Sequence, residues 1–305
     1  MSSQIKKFGL LLLAVILTIT LASCSNKNDT NTVKIASVYT TESQILAHMI
    51  KILVEKDTDL PVEIINNLGS GTVVHQAMVR GDANVSSARY TGTDLTGALG
   101  KAPITDPKKA RDVVTQAFEK DFDQHYFDSY GFENTYAFMV TKETAKKYNL
   151  KTVSDLKKVA SKLKAGVDSS WMKRKGDGYE AFKKKYGFDF KDTKPMQIGL
   201  VYEAVNANKM DVVLGYTTDG RIQSYDLQIL EDDLHFFPPY DANPVATNAL
   251  LKKNPELKSI LDSMKNKIST EEMQKLNYEV DNNLKEPAVV AEEYLKKHNY
   301  FEGGK

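Results

Sequence analysis

Cysteine is almost missing from this 305-residue chain, where Cys24 is the only one. A disulfide framework and a cysteine-based metal site are therefore excluded. An excess of one charge is missing too, since 41 Lys and Arg stand against 40 Asp and Glu. No large one-sign field results, and a nucleic acid is not an expected partner. The five histidines, His48, His75, His125, His235 and His298, fall in no HExxH or HxH pattern. A G-x-S-x-G elbow and a G-x-x-x-x-G-K-S/T loop are also absent. An enzyme on this chain would thus lack a visible nucleophile–base pair. Beyond the N-terminus no run is apolar enough to span a bilayer, and no repeat of 20–50 residues occurs.

What is present begins at the N-terminus. Lys6 and Lys7 precede the apolar run Phe8 to Leu21, and Leu21-Ala22-Ser23-Cys24 resembles a bacterial lipoprotein processing box. The run is short for a membrane-spanning helix, which needs about 20 apolar residues. The polar stretch Ser25 to Thr32 reads as a tether. The expectation is that Cys24 becomes the mature N-terminus and carries acyl chains. Each buried CH₂ of such a chain adds about 0.8 kcal/mol of membrane affinity. The globular part would then be lipid-anchored at the extracellular face of the cell membrane. An ordinary signal peptide with a coincidental cysteine is the alternative.

The composition, 41% hydrophobic and 27% charged, is that of a globular protein. Roughly 275 residues remain after the signal and tether, enough for two domains. Short β-rich runs alternate with helical patterns. Strands are expected at Val33–Val38, Val62–Ile65 and Val85–Tyr90, with helices at Glu42–Glu55 and Val73–Arg80 between them. This order argues for a parallel sheet covered on both faces. Asp106, with Pro107 behind it, reads as the start of a helix to Phe118. A second set has strands at Tyr136–Val140, Gly166–Asp168, Met196–Leu200, Val212–Tyr216 and Leu227–Leu230. Its helices are expected at Val153–Leu163, around Asp177–Tyr186 and at Val201–Asn208. Leu234–Tyr240, with Pro238-Pro239, reads as a crossing back, and Asn248–Tyr300 as a helical tail. The reading is an α/β, two-domain clamshell with a ligand in the interdomain cleft, at the carboxyl ends of the strands. Its parts are residues 1–23 (signal), 24–32 (tether), 33–134 with 241–305 (domain I) and 135–240 (domain II).

The aromatic pattern points to a ligand. Tyr90 and Tyr216 end expected strands, and Tyr136 and Tyr240 sit near the two crossings. In a clamshell all four would line the cleft. Tyrosine rings attract a quaternary ammonium through cation–π contacts, while their hydroxyls stay free to be hydrogen-bonded. Core or rim packing is the alternative, given 15 tyrosines in the chain. Gly69-Ser70-Gly71, a glycine turn before a helix, is either an anion cradle or a plain helix entry.

Several segments in consistent order carry a resemblance. They are Asn67 to Thr72, Ala88 to Thr93, Tyr136-Ala137-Phe138, Asp168 to Met172, Lys175 to Tyr179, Gly215 to Gly220 and Pro238-Pro239-Tyr240. Together they resemble the substrate-binding lipoproteins of osmoprotectant ABC transporters, which bind glycine betaine, carnitine and choline. The resemblance runs from about Val33 to near the C-terminus. It implies a type II periplasmic-binding-protein-like fold and a trimethylammonium head held by Tyr90, Tyr136, Tyr216 and Tyr240. Thr93 matches a position that contacts the ligand's polar end and is aspartate in choline-restricted relatives. A neutral threonine favours a range that includes betaines. A helix cap before Asp94 is the other reading of Thr93. Val38 departs from the family's glutamine and cannot hydrogen-bond a ligand. Gln44 lies nearby with no ground for giving it that role, and Trp171 either lines the cleft or packs the core. The resemblance implies no cofactor, no catalysis, a monomer, and an ABC permease with ATPase subunits as partners. A secreted enzyme on the same fold, a sensor with a decayed pocket, and a receptor for another trimethylated zwitterion such as ergothioneine are the alternatives.

Overall fold

The structure is a computed structural model that describes residues 30–174 and 176–301. The expected signal, Cys24 and Lys175 lie outside the described residues. Thr30 and Thr32, at the end of the expected tether, are already docked: their carbonyls accept from Asn254 at 2.9 Å and Asn84 at 2.8 Å.

Among the described residues ten strands form two five-stranded sheets. They are β1 (Val33–Val38), β2 (Val62–Leu68), β3 (Val85–Tyr90), β4 (Gln124–Tyr126), β5 (Tyr136–Thr141), β6 (Lys164–Asp168), β7 (Asp192–Met196), β8 (Val212–Tyr216), β9 (Leu227–Ile229) and β10 (Ala242–Thr247). The first sheet runs β2-β1-β3-β10-β4 and the second β7-β6-β8-β5-β9. The chain enters the second sheet between β4 and β5 and returns between β9 and β10. Two α/β lobes joined by two crossings form a clamshell.

β1 is buried along most of its length, as a strand covered on both faces must be. Helix α1 (Thr41–Asp57) lays Ile45, Leu46, Met49, Ile50 and Leu53 on the first sheet. Helix α2 (Gly71–Arg80) enters through a Ser70 cap that accepts from the Val73 N–H at 3.3 Å. Helix α3 (Pro107–Phe122) starts at Asp106, whose carboxylate accepts from the Lys109 N–H at 2.7 Å. The tail forms α4 (Asn248–Lys253), α5 (Glu256–Asp262), α6 (Thr270–Asp281) and α7 (Pro287–Lys297), and these pack back onto α1 and the first sheet.

The structure corrects several expectations. Both sheets are mixed, not parallel: β10 runs antiparallel to β3 and β4, and β5 antiparallel to β8 and β9. Strand β10 hid behind Pro244, which usually argues against a central strand. Here the register of β10 against β3 shifts between Asn243 and Val245, which accommodates the proline. The expected helix Val153–Leu163 is two 3₁₀ segments, Ser154–Lys158 and Ala160–Lys162. The Asp155 carboxylate accepts from the Lys151 and Thr152 N–H groups, a local turn that competes with an α-helix. The strand expected at Met196–Leu200 ends at Met196, and Ile198–Asn206 is helical, burying Val201, Tyr202 and Val205. Pro195 is tolerated because β7 lies at the sheet edge.

Candidate ligand-binding site

A cavity of about 260 Å³ lies between the lobes at the strand ends. That is near the low end of small-molecule pockets, about 300–1,000 Å³. Tyr90, Tyr136, Tyr216, Tyr240, Thr93 and Val38 all line it. A wider hollow of about 670 Å³ lies beside the crossings, but Asp106, Glu133, Glu231 and Asp232 make its wall acidic.

Sheet register brings the rings together. Tyr136 opens β5 and Tyr216 closes β8, and the two are direct partners in the antiparallel ladder. Their ring centroids are 5.1 Å apart. Tyr90 closes β3 opposite Ala242, two residues after Tyr240. Gly92 makes room for Tyr240: a Cβ at that position would sit 2.9 Å from the Tyr240 ring and 2.8 Å from the Pro239 carbonyl oxygen. Gly215 does the same for Tyr202, whose hydroxyl would lie 2.6 Å from an added Cβ. That hydroxyl accepts from the Tyr216 N–H at 2.6 Å and pins the end of β8.

Each remaining ring is held by its hydroxyl. Tyr90 donates to Glu42 Oε1. Tyr136 donates to Asp168 Oδ2 at 3.0 Å, and the same oxygen caps the turn that follows through the Trp171 N–H at 3.0 Å. The Tyr240 hydroxyl accepts from Arg174 Nη2 at 2.9 Å. Burial pushes all four phenols above their ordinary pKa, so they are neutral rings at physiological pH.

Thr93 lies in a helical turn, Thr91–Thr93, that runs on into Asp94–Ala98, and its side chain makes no capping hydrogen bond. The helix-cap alternative therefore does not hold. Val38 presents only methyl groups, and its N–H is taken by Ser43 Oγ at 3.2 Å. Gln44 is not a lining residue and donates to the Tyr39 carbonyl at 3.1 Å. Trp171 is fully buried behind the cavity among Tyr136, Phe138, Tyr179, Phe182 and Phe237, a packing role. The Gly69–Gly71 loop is a helix entry and a cavity wall at once.

Sequence reasoning missed four residues. Arg174 lies between two of the quoted motifs. Its guanidinium carbon stands 5.9 Å from the Tyr136 ring centroid, and its Nε donates to Asp177 at 3.0 Å. Tyr39 is 64% exposed at the rim. Asn134 lines the cavity and donates to Glu42 at 2.9 Å. Glu42 stands behind Tyr90. Its signal was readable, because it shares the apolar stripe of Ile45 and Met49 at a spacing of three and seven. Arg89 also lines the cavity but is spent internally, bound to Asp94 and to the Gly71 carbonyl at 2.8 Å. Among the described residues no cluster of three His, Cys, Asp or Glu could hold a metal, and no helix is long and apolar enough to cross a membrane.

Comparison with known proteins decides the family. Residues 31–297 match the substrate-binding domain of ABC-type glycine betaine transport systems. The chain belongs to this family. It is 57% identical over 304 residues to the carnitine transport binding protein OpuCC of Listeria monocytogenes, covering 98% of this chain and 99% of that one. It is 33% identical over 291 residues to the ergothioneine transport permease/ergothioneine binding protein EgtU of Helicobacter pylori, covering 93% of this chain and 52% of that one. A crystal structure described as a glycine betaine/carnitine/choline ABC transporter superposes with a TM-score of 0.85 at 63% identity, covering 88% of this chain and 100% of that one. The family and these relatives are solute-binding components of transporters, and this chain is a solute-binding receptor on a two-domain clamshell.

Proposed function

We propose that this receptor captures quaternary ammonium solutes of the carnitine, glycine betaine and choline class. Their trimethylammonium head would rest against Tyr90, Tyr136, Tyr216 and Tyr240. The observation that carries the reading is the convergence of four neutral phenol rings, from both lobes and a crossing, on one small cavity. A methylated cation cannot accept or donate hydrogen bonds, so ring faces are the groups suited to it, at about 0.5–2 kcal/mol each. The Thr93 hydroxyl would supply a donor for a carboxylate at the other end, whereas the Arg174 guanidinium is held at the ring end by Asp177 and the Tyr240 hydroxyl. Val38 supplies none. The sensor alternative expects a cage tyrosine turned away from the cleft, and all four line it.

The receptor delivers its ligand to a membrane permease driven by ATPase subunits and does no covalent chemistry itself. It acts as a monomer, held at the extracellular face by lipid on Cys24. Titration calorimetry against carnitine, glycine betaine and choline tests the ligand class. Saturable binding of at least one supports it, and silence from all three with a folded protein removes it. Ergothioneine belongs in the same series, because a relative's name includes it. Cys24→Ala should release the protein from cells, and retention would remove the lipid anchor from the account.

A further inference from the structure

Glu42 is a buried carboxylate with no cation. It is 2% exposed, in the first turn of α1, and among the described residues no lysine, arginine or histidine pairs with it. A glutamate is seldom buried so fully unless it is paired. Its contacts are Tyr90 on β3, which donates to Oε1, and Asn134 on the crossing, which donates to the same oxygen at 2.9 Å. Thr218 after β8 and Asn277 on α6 close the cluster. The charged groups around it are engaged elsewhere. Asp281 on α6 takes the Thr41 hydroxyl, Arg221 holds Asp219 at 2.7 Å, and Glu133 on the crossing faces Asp241. Among the described residues Tyr90 is the titratable side chain hydrogen-bonded to Glu42, and it is neutral.

The cluster is also rich in acceptors. Glu42 Oε2, Asn134 Oδ1 and Asn277 Oδ1 are buried acceptors without a donor. Turning either amide over does not help, because Asn134 Nδ2 faces Glu42 and Asn277 Nδ2 faces the Thr218 carbonyl at 2.8 Å, both acceptors. A proton on Glu42 would add one donor beside these acceptors. Burial, the largest influence, favours that neutral form and raises the Glu42 pKa against the opposing hydrogen bonds.

We propose that Glu42 is the buried counter-charge of the tyrosine cage: it lacks a cation because the bound ligand supplies one, and capture of that ligand drives the Glu42 proton to solvent. Glu42 does not line the cavity, so it acts through Tyr90 as a positioning residue. It fixes the phenol, and once ionised it places negative charge at the hydroxyl edge of that ring. The inference rests on the quaternary ammonium reading of the site. The sign follows from linkage. A nearby cation favours the carboxylate, so binding strengthens as pH rises through the Glu42 pKa of the empty protein and levels off above it.

The test is calorimetric titration of the full chain with carnitine, between pH 5 and 8, in two buffers of different ionisation enthalpy. The expected result is a net proton release on binding and an affinity that rises with pH. A one-unit drop in the Glu42 pKa on binding equals about tenfold in affinity across the range. Glu42→Gln keeps an acceptor for Tyr90. It should bind with no such slope or proton release, and about tenfold more weakly at the upper end of the range. A purely structural Glu42 would weaken binding in the variant while the wild type released no proton. Flat wild-type affinity with no proton release overturns the inference alone. No carnitine binding at any pH overturns the underlying reading, and this inference with it. Should the variant fail to fold, the wild-type proton count decides by itself.

Discussion

Tyr136 and Tyr90 belong to the same cavity but rest on different ground. Behind Tyr136 lies an aromatic bed: Trp171 at 6.4 Å and Phe237 at 6.2 Å between ring centroids, with Phe138, Phe182 and Phe190 beyond. Behind Tyr90 the core is mainly aliphatic, with Ile35, Ile45, Leu46 and Met49, and the ring is steadied by Glu42. Interlocked rings have few alternative packings, so the second lobe presents its half of the proposed cage as a rigid wall. The first lobe presents its half through an ionisable group. On this reading one half answers to packing and, as proposed, the other to protonation.

The largest expected effect falls on the packed half. Trp171→Ala should cost about 3–5 kcal/mol of stability in denaturant unfolding, the usual penalty for emptying a large aromatic site. A loss under about 1 kcal/mol would mean the bed is not what holds Tyr136. Next comes the polar end. Thr93→Asp should turn preference toward choline and away from glycine betaine, since facing like charges cost on the order of several kcal/mol. An unchanged ratio in competition binding would remove Thr93 from the site. Tyr216→Ala and Tyr240→Ala should each weaken carnitine by roughly 0.5–2 kcal/mol. If both bind normally, the cage assignment is wrong.

The smallest effect sharpens the contrast between the halves. The folded Glu42 pKa is raised by burial, so its stabilising neutral form is fully present below the unfolded pKa. That contribution is lost as pH rises through the folded value. The stability difference between the ligand-free wild type and Glu42→Gln should therefore move against the wild type as pH increases. A difference that stays constant with pH would place Glu42 among ordinary structural residues. Other buried carboxyls with raised pKa, such as Glu133 and Asp241, are common to both proteins and cancel.

The strand ends were legible because buried strands such as Val33–Val38 and Val212–Tyr216 are short apolar runs that stop at polar turns. That put Tyr90 and Tyr216 at the lip of the sheets, and family motifs added Tyr136, Tyr240 and Thr93. Direction was not legible. Nothing local distinguishes a parallel from an antiparallel strand, and Pro244 concealed β10 altogether. Arg174 reaches the cavity through a short turn with no periodicity. Asn134 and Tyr39 matter only because tertiary contacts aim them there. Glu42 was legible as an acidic residue on an apolar stripe, yet an acid in a first helical turn reads first as a partner for the helix dipole.

The most direct test of the account is a calorimetric titration of the purified chain with carnitine, glycine betaine and choline, beside a Tyr216→Ala/Tyr240→Ala variant. The account predicts saturable one-to-one binding of at least one of the three, and its loss or marked weakening in a variant that remains folded. Equal binding by both proteins, or none by the folded wild type, would contradict it.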